Sequence, residues 1–511
     1  MGYIEISTAE GRLRGMDFAG TVSFLGVPYG ASTAGGNRFR PPQPVEPWTG
    51  TRDALTFGPV APQVDTRLGA KGNGQRLLAM LYPRAGSPAE GTGMSEDCLR
   101  LNIWAPSAPS EEPRPVLVWL HGGGFTHGSG NETAFNGDIL SSYGDMVVVT
   151  LGHRLGVLGF LDLRDLGIAG SANAGLLDIV AALQWVKRNI AAFGGDPARV
   201  TLCGQSGGSA KVAALNAMPA AEDLFARSIM MSGPFGRIAS PAQATALRDD
   251  VMRRLAGASL EALEHATLDQ ILEVQAGILR DAPVEPGERF EVDPFPGFGP
   301  SHDQDDLPHD PFGNVAPEAI RGRELMIGWT SHEMAMFLAD DPTFTPAMAA
   351  NEAKRRLDAV ASMNPPMTFA EMEEAYPGEP PHLHVARRLS DIIFRAPALR
   401  IAHLASEKTS VWAYQFEQQT EVLGGLLGAC HSLDLAYVFG TVDRVPLTGR
   451  GFQRIAVSQE MMGAWADFAR FGDPGVRIGA WSKWRDETPF VHTFGMSSDP
   501  QMPPNIDISQ R

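Results

Sequence analysis

Cysteine is scarce in this chain: Cys98, Cys203 and Cys430 are the only three among 511 residues. A sparse and odd set does not form a disulfide framework, so we expect a reducing compartment and a cytoplasmic location. The first residues also lack the basic and apolar stretches of a secretory signal peptide. Because no run of about 18 apolar residues occurs, the sequence predicts no membrane-spanning helix.

Basic residues are outnumbered by acidic ones, 42 against 59, which gives a formal net charge of −17. Nucleic acids and anionic membranes bind basic surfaces, so we expect neither as a partner. Metal-ligand spacing is also rare. His382 and His384 lie two residues apart, but the prolines in this P-P-H-L-H segment favour an exposed loop over a metal site. We expect no metal and no cofactor.

Strand-like and helix-like segments alternate along nearly the whole chain, without a linker-like interruption. This alternation predicts one α/β domain over residues 1–511. Continuous apolar runs at 116–120, 146–151, 200–203 and 229–231 indicate parallel strands that are covered on both faces.

Three segments depart from this alternation. Residues 61–95 are rich in Gly, Pro and Ala around an apolar patch at 77–82, which predicts a mobile loop with a short helix in the pocket wall. The stretches 238–320 and 340–400 are helical and acidic in character, and we expect them to form helical insertions over the sheet. In the first stretch, Ser240 is a candidate N-cap ahead of a proline-initiated helix.

The most informative motif is the pentapeptide G-Q-S-G-G at 204–208, the chain's one match to G-x-S-x-G. It lies between an apolar run at 199–203 and a small-residue stretch that can begin a helix. A strand, a sharp turn and a helix form the context of a nucleophile elbow. Glycines on both sides let the strand and the helix pack closely around a strained serine. The pattern predicts that Ser206 is a catalytic nucleophile.

A second motif, H-G-G-G-F at 121–125, directly follows one of the predicted strands. Consecutive glycines can turn their N–H groups toward one point, as in an oxyanion hole, where losing one donor costs about 3–4 kcal/mol of barrier. A phosphate cradle is disfavoured because no P-loop lysine pattern follows. We predict Gly123, Gly124 and Gly207 as the donors.

Several longer motifs identify a family. The segment E-D-C-L-R-L-N at 96–102 resembles a motif of the type-B carboxylesterase/lipase family, which includes cholinesterases and bacterial p-nitrobenzyl esterases. Further matches in family order are F-L-G-V-P-Y at 24–29, R-L-G at 154–156, G-F-L at 159–161, G-G-D-P at 194–197 and Y-V-F-G at 437–440. The resemblance covers most of the chain. It implies an α/β-hydrolase fold with a large, mostly parallel sheet, helices on both faces, and an active site at the base of a pocket.

The resemblance also implies the base and the acid of a triad. In α/β-hydrolases the chain order is serine, acid, histidine, which excludes the histidines that precede the nucleophile. The segment G-A-C-H that ends at His431 resembles the family's histidine segment. Glu333 aligns with the family's acid, although His332 and Met334 replace the usual Asp and Gly beside it. Asp434 is the alternative acid.

Departures from the family bear on the substrate. Cholinesterases carry Glu immediately before the nucleophile, whereas this chain has Gln205, and the loop at 61–95 has no Trp to hold a cation. We therefore expect small or medium neutral esters, with Phe125 and Phe394 in the pocket wall. Ser232 matches a family serine near the histidine and is assigned a supporting role.

Two questions stay open at this stage. The same residues could hydrolyse a carbamate, an amide, a thioester or a xenobiotic diester, and a non-catalytic binding protein is a remote alternative. Glu96 and Arg154 both lie in family motifs, and we expect them to pair with each other structurally.

Overall fold

The computed structural model describes residues 2–64, 72–83, 93–233, 238–255, 259–281, 297–311, 320, 322–363, 366–479 and 481–495. Much of the predicted loop at 61–95, part of the predicted insertion at 238–320 and the polar tail from residue 497 onward lie outside these ranges. None of the helices within them has the length and apolar character needed to cross a membrane.

Twelve strands of the described chain form one sheet. They are β1 (Gly2–Ser7), β2 (Arg12–Phe18), β3 (Thr21–Pro28), β4 (Thr51–Asp53), β5 (Arg100–Pro106), β6 (Arg114–Leu120), β7 (Val147–Leu151), β8 (Gly195–Gln205), β9 (Arg227–Met231), β10 (Glu324–Thr330), β11 (Val411–Phe416) and β12 (Val491–Phe494). Their spatial order is β1-β2-β3-β5-β7-β6-β8-β9-β10-β11-β12, and β4 pairs with β2.

The sheet is parallel from β7 to β12 and antiparallel at its N-terminal edge. The predicted large and mostly parallel sheet is therefore confirmed. The apolar runs predicted as buried strands are β6, β7, β8 and β9, and every residue of β6 and β7 is buried. Since the carboxyl ends of parallel strands meet at one edge, the loops after β6, β8 and β10 lie close together.

Helices surround the sheet. The α-helices of the described ranges are α1 (Gly72–Leu81), α2 (Asp138–Gly144), α3 (Gly156–Phe160), α4 (Ala174–Asn189), α5 (Gly207–Ala217), α6 (Pro241–Arg254), α7 (Leu260–His265), α8 (Leu268–Asp281), α9 (Glu333–Leu338), α10 (Ala350–Ala359), α11 (Phe369–Ala375), α12 (Pro381–Ser390), α13 (Ala396–Ser406), α14 (Leu435–Val438) and α15 (Gln453–Phe471).

Two of these helices lie on opposite faces of the central strand β8. A Cβ atom built on Gly204 would contact the backbone of Gly208 on α5, whereas the adjacent Cys203 side chain reaches Trp465 on α15. Successive residues of a strand point to opposite faces, so α5 and α15 cover β8 from both sides. This covering explains why β8 is apolar at consecutive positions.

Local sequence accounts for the helix starts. Ser240 caps α6 in a reciprocal capping box with Gln243, and Pro241 occupies the first turn, as predicted. Prolines also begin α12, and here the expectation of an exposed loop around His382 and His384 is wrong. Both histidines are buried on α12, because proline is tolerated in the first turn of a helix, where its missing N–H is not needed.

The expected pairing of Glu96 with Arg154 is also wrong. Glu96 accepts two hydrogen bonds from Arg38, at 2.7 and 2.6 Å. Arg154 instead donates to both carboxylate oxygens of Asp178, at 2.8 and 2.6 Å. Both pairs are buried, and a buried charge needs a partner in hydrogen-bond contact. Membership of two family motifs did not reveal which partner each residue meets.

Candidate active site

Ser206 lies at a sharp turn between β8 and α5. Its backbone has φ 57° and ψ −124°, a strained conformation for a residue with a side chain. Its N–H donates to Met231 O at 2.9 Å, which fixes the turn against β9. A Cβ atom on Gly208 would lie 2.1 Å from Leu120 O, so a larger residue there would separate α5 from β6. The structure therefore has the predicted succession of strand, strained turn and helix around Ser206.

The glycine loop after β6 meets this turn. Gly123 and Gly124 have φ values of 85° and 61°, in the left-handed region that favours glycine. A Cβ atom on Gly207 would lie 2.4 Å from the backbone of Gly124, so the start of α5 touches the loop. Within the described part of the chain, the N–H groups of Gly123, Gly124 and Gly207 have no hydrogen-bond acceptor.

The carbonyls of the loop explain where these N–H groups point. Gly122 O accepts a hydrogen bond from His121 Nδ1 at 2.8 Å. Gly123 O accepts from the N–H groups of Thr126 and His127, at 3.3 and 3.2 Å. The C=O and N–H of a trans peptide point in opposite directions, so the N–H groups of Gly123 and Gly124 point away from these partners. Together, the N–H groups of Gly123 and Gly124 can bind an external anion.

His431 and Glu333 form a short, buried pair. His431 Nδ1 lies 2.5 Å from Glu333 Oε2. Glu333 begins α9 directly after the turn that follows β10, and its Oε1 accepts the Thr330 N–H at 2.7 Å. A carboxylate can only accept, so it fixes the imidazole with its proton on Nδ1 and a lone pair on Nε2. This lone pair can take a proton.

Gln205 contacts that lone pair. Its Nε2 lies 3.2 Å from His431 Nε2 and donates to Ser432 Oγ at 2.9 Å. Among the described residues, Ser206 Oγ makes no hydrogen bond with His431. Catalytic hydrogen bonds of this kind commonly tighten only when the substrate is bound. The sequence analysis singled out Gln205 because a neutral residue replaces the Glu of cholinesterases, but it did not predict this contact.

Asp434, the alternative acid, does not contact Nδ1 of His431. It is buried and accepts a hydrogen bond from Tyr414 Oη at 3.4 Å. Burial and the nearby Glu333 raise the pKa of Asp434 to about 8, so at neutral pH it is largely uncharged. Glu333 is therefore the acid that the geometry favours.

The other predicted residues are spread around the site. Phe394 is buried, with its ring centroid 5.2 Å from that of His431. Phe125 instead packs edge-on against Phe160, with the centroids 5.1 Å apart. Ser232 has φ 50°, its N–H donates to Gly328 O, and its Oγ has no hydrogen-bond partner in the described ranges.

The backbone around Phe394 is unusual. Residues Asp391–Arg395 form a π-helical turn between α12 and α13. Pro397 follows two residues later, and its ring would clash with the carbonyl of Ile393 in a regular α-helix. A π turn is a common accommodation of such a clash and is frequent at functional sites. Phe394, which packs against His431, lies within this turn.

Sequence reasoning missed Phe337. This residue lies on α9, one turn beyond Glu333, with its ring centroid 5.2 Å from that of His431. It is 43% exposed, in contrast to the buried Phe394. Its spacing of four residues from Glu333 on a helix was the available signal. Two phenylalanines therefore flank His431, one in the core and one facing solvent.

His332 entered the sequence analysis only as a departure from the family pattern, yet it links the segments that carry Glu333 and His431. Its Nδ1 accepts the Ala429 N–H at 3.1 Å, and its Nε2 lies 2.9 Å from Glu379 Oε1. Glu379 in turn binds Arg387, which also donates to Glu417 at 2.9 Å. This buried network joins the segment before Glu333 to the segment before His431.

Within the described ranges, no group of three or more His, Cys, Asp or Glu residues is arranged to hold a metal ion. His382 and His384 bind separate backbone carbonyls, Gly425 O at 3.4 Å and Tyr376 O at 3.1 Å.

Comparisons with known proteins identify the family of the chain. The model of the carboxylesterase family matches residues 3–502. Phenmedipham hydrolase of Pseudarthrobacter oxydans is 34% identical over 96% of this chain and 94% of its own. Para-nitrobenzyl esterase of Bacillus subtilis (strain 168) is 34% identical over 94% and 93%. A solved structure of a PNB esterase superposes with a TM-score of 0.79 at 32% identity, covering 96% of both chains.

Proposed function

The chain belongs to the carboxylesterase family and is a serine-type carboxylic ester hydrolase, and we propose that Ser206, His431 and Glu333 form its catalytic triad. The observation that carries the proposal is the buried His431–Glu333 pair at the edge of the sheet where Ser206 occupies a strained turn. The substrates are uncharged esters of small to medium size.

The first half of the reaction forms an acyl-enzyme. Ser206 Oγ attacks the ester carbonyl carbon while its proton passes to His431 Nε2, and the carbonyl π electrons move to the oxygen. Glu333 stabilises the imidazolium that results. The imidazolium then protonates the leaving alcohol oxygen as the C–O bond breaks. Water repeats these steps in the second half and releases the acid and Ser206.

The N–H groups of Gly123, Gly124 and Gly207 bind the oxyanion of each tetrahedral intermediate. Their lack of other acceptors within the described chain supports this role, because such donors need no reorganisation during the reaction. The start of α5 adds the positive end of a helix dipole at the same point.

The preference for uncharged esters follows from the groups around His431. Gln205 is neutral, and the rings of Phe337 and Phe394 supply an apolar surface on either side of the imidazole. We expect the exposed Phe337 to contact part of the bound substrate, since apolar substrate surface gains free energy by leaving water there.

A carbamate bond is the alternative that a comparison favours, because one relative is named phenmedipham hydrolase. The same triad can attack either carbonyl, so a direct assay must decide. A carboxylic ester and a carbamate with the same p-nitrophenol leaving group differ only in the acyl part, so a difference in turnover reports on the preferred acyl group. We expect faster turnover of the ester, and the reverse order would make the carbamate the better substrate class.

The triad is tested with p-nitrophenyl esters of increasing acyl length. We expect Ser206→Ala and Glu333→Gln to lower kcat by on the order of 10⁴- to 10⁶-fold, the loss seen when triad members are removed. Ser209→Ala is the matched control for the serine, because Ser209 is buried on α5, the helix that begins directly after Ser206. Asp434→Asn is the matched control for the acid. Undiminished turnover in Ser206→Ala would end the proposal.

A cytoplasmic location is also proposed. The three cysteines are free and buried in the structure, as suits a reducing compartment. Fractionation of the native host tests this, with the enzyme expected beside a cytoplasmic marker. We further propose that the chain is a single α/β-hydrolase domain with its helical insertions over the active site. Domain unity predicts one unfolding transition in calorimetry.

A further inference from the structure

Lys211 is a fully buried lysine beside the oxyanion loop. It lies on α5, five residues after Ser206, and none of its surface is exposed. Its Nζ donates to His121 O at 3.1 Å and to Gly124 O at 2.8 Å. It also lies 5.3 Å from the ring centroid of Phe125. All of these contacts are with the 121–125 segment.

Within the described ranges, this ammonium group has no counter-charge. Among the described residues, no carboxylate lies within ion-pair distance of Lys211 Nζ. The titratable groups that face it are His121 and His127 on the loop and His153 after β7, and burial and Lys211 itself lower the pKa of each. Burial also lowers the pKa of Lys211 to about 7. An unpaired buried cation is costly, so its position calls for a compensating role.

We propose that Lys211 is a positioning residue of the oxyanion hole, which holds both ends of the glycine loop and places a positive charge behind the oxyanion. The inference rests on the proposed esterase function. Four successive carbonyls, from residue 121 to 124, each have a donor. The two inner ones belong to the peptides that present Gly123 N–H and Gly124 N–H. Lys211 holds the two outer ones.

The charge of Lys211 and its hydrogen bonds to the glycine loop both favour binding of the oxyanion. The reaction creates a negative oxygen next to the loop, and attraction between charges is strong where water is excluded. The coupling is reciprocal, so an oxyanion bound at the loop must favour the protonated form of Lys211. This reciprocity gives two independent tests.

The first test compares Lys211→Met with Lys187→Met. Methionine keeps an unbranched apolar chain and removes the N–H donors. The control loses a lysine that donates to a carbonyl elsewhere, Asp223 O at 3.1 Å. We expect Lys211→Met to lower kcat about 10- to 100-fold, the range for weakening an oxyanion-hole donor, with KM within about twofold. Affinity for an aryl trifluoromethyl ketone, which forms an oxyanion adduct with the serine, should fall by the same factor.

A purely structural role would alter thermal unfolding without this selective loss. A folded Lys211→Met variant with unchanged kcat and ketone affinity would overturn the proposal. Failure of the esterase proposal is recognised separately, because Ser206→Ala would then keep its activity and a fluorophosphonate would not label Ser206 in the wild-type enzyme.

The second test uses the wild-type enzyme and does not depend on a variant that folds. The chain has only six lysines, at positions 71, 187, 211, 354, 408 and 483, so ¹³C-labelled lysine gives few NMR signals. We expect the titration midpoint of Lys211 to move to higher pH when the trifluoromethyl ketone is bound. The midpoints of the exposed lysines should not change; these are Lys187, Lys354, Lys408 and Lys483. An unchanged midpoint for Lys211 would contradict the proposal.

Discussion

At the scale of single residues, two hydrogen-bond donors compete for the lone pair on His431 Nε2. Gln205 Nε2 donates toward it at 3.2 Å in the free enzyme, whereas the mechanism requires that it accept the proton of Ser206. Gln205 must therefore release Nε2 before the proton of Ser206 can pass to it.

This contact predicts the effect of Gln205→Met, which removes the donor without adding a charge. Because the lone pair of His431 Nε2 is then free to accept the proton of Ser206, we expect kcat/KM for one p-nitrophenyl ester to rise relative to the wild type, measured at a single pH. An unchanged or lower kcat/KM in a folded variant would contradict the inferred competition.

Asp434 provides a second prediction at this scale. Its pKa is raised from 3.8 to about 8 by burial and by Glu333, so between these values the folded chain holds a proton that the unfolded chain releases. The free energy of unfolding therefore falls as pH rises from about 4 to 8, by at most about 1.4 kcal/mol per pH unit.

Asp434→Asn removes this dependence and should leave the triad working. Relative to the wild type, the variant gains stability between pH 5 and pH 8, as measured by urea unfolding at the two values. Equal differences at both values would show that Asp434 is ionised in the folded protein.

At the scale of elements, the short helix α1 is tied to the segment that follows α9. The Gly74 N–H donates to Asp340 Oδ1 at 2.8 Å, and Asn73 Nδ2 donates to Ala339 O at 3.1 Å. The Tyr82 side chain, next to the end of α1, lies near Ser432, which is beside His431. The helix predicted within 61–95 thus reaches the site, whereas the predicted mobility of the surrounding loop stays a prediction.

Limited proteolysis tests both the loop and its tether. We expect cleavage within residues 65–95 before cleavage of the core, and Asp340→Ala should accelerate it, because the variant loses the acceptor for Gly74 N–H. Asp358→Ala is a control, since Asp358 makes an exposed ion pair with Lys354 on α10. Protection of residues 65–95 equal to that of the core would contradict the prediction.

At the scale of the whole molecule, the buried charge of Lys211 affects the stability of the fold. Its pKa falls from 10.5 in the unfolded chain to about 7 in the folded protein. Between these values the unfolded chain binds a proton that the folded chain does not. The free energy of unfolding therefore rises with pH from about 7 to 10.5, again by at most about 1.4 kcal/mol per pH unit.

Urea unfolding of the wild type and of Lys211→Met at pH 7 and pH 9.5 measures this contribution. The free energy of unfolding of Lys211→Met minus that of the wild type should be larger at pH 7 than at pH 9.5. A constant difference would mean that Lys211 keeps its proton throughout the range.

Prediction of structure from the sequence succeeded where the structure depends on neighbouring residues. The strands β6, β7, β8 and β9 are continuous apolar runs, and the elbow at Ser206 needs small residues immediately around it. It failed where the partner is distant. The histidines on α12 were predicted in a loop, and Glu96 and Arg154 were paired with each other, because a single sequence carries no contact information.

The sequence by itself determined the G-Q-S-G-G motif, the glycine loop and the apolar strands that carry them, since these depend on steric demands of neighbouring residues. The resemblance to a family then supplied His431 and Glu333. Only the tertiary structure decided which groups meet: Gln205 at the imidazole, Phe337 beside it, and Lys211 against the glycine loop at 121–125. These contacts join residues from different strand ends and helices, and their energies arise from burial, which exists only in the folded chain.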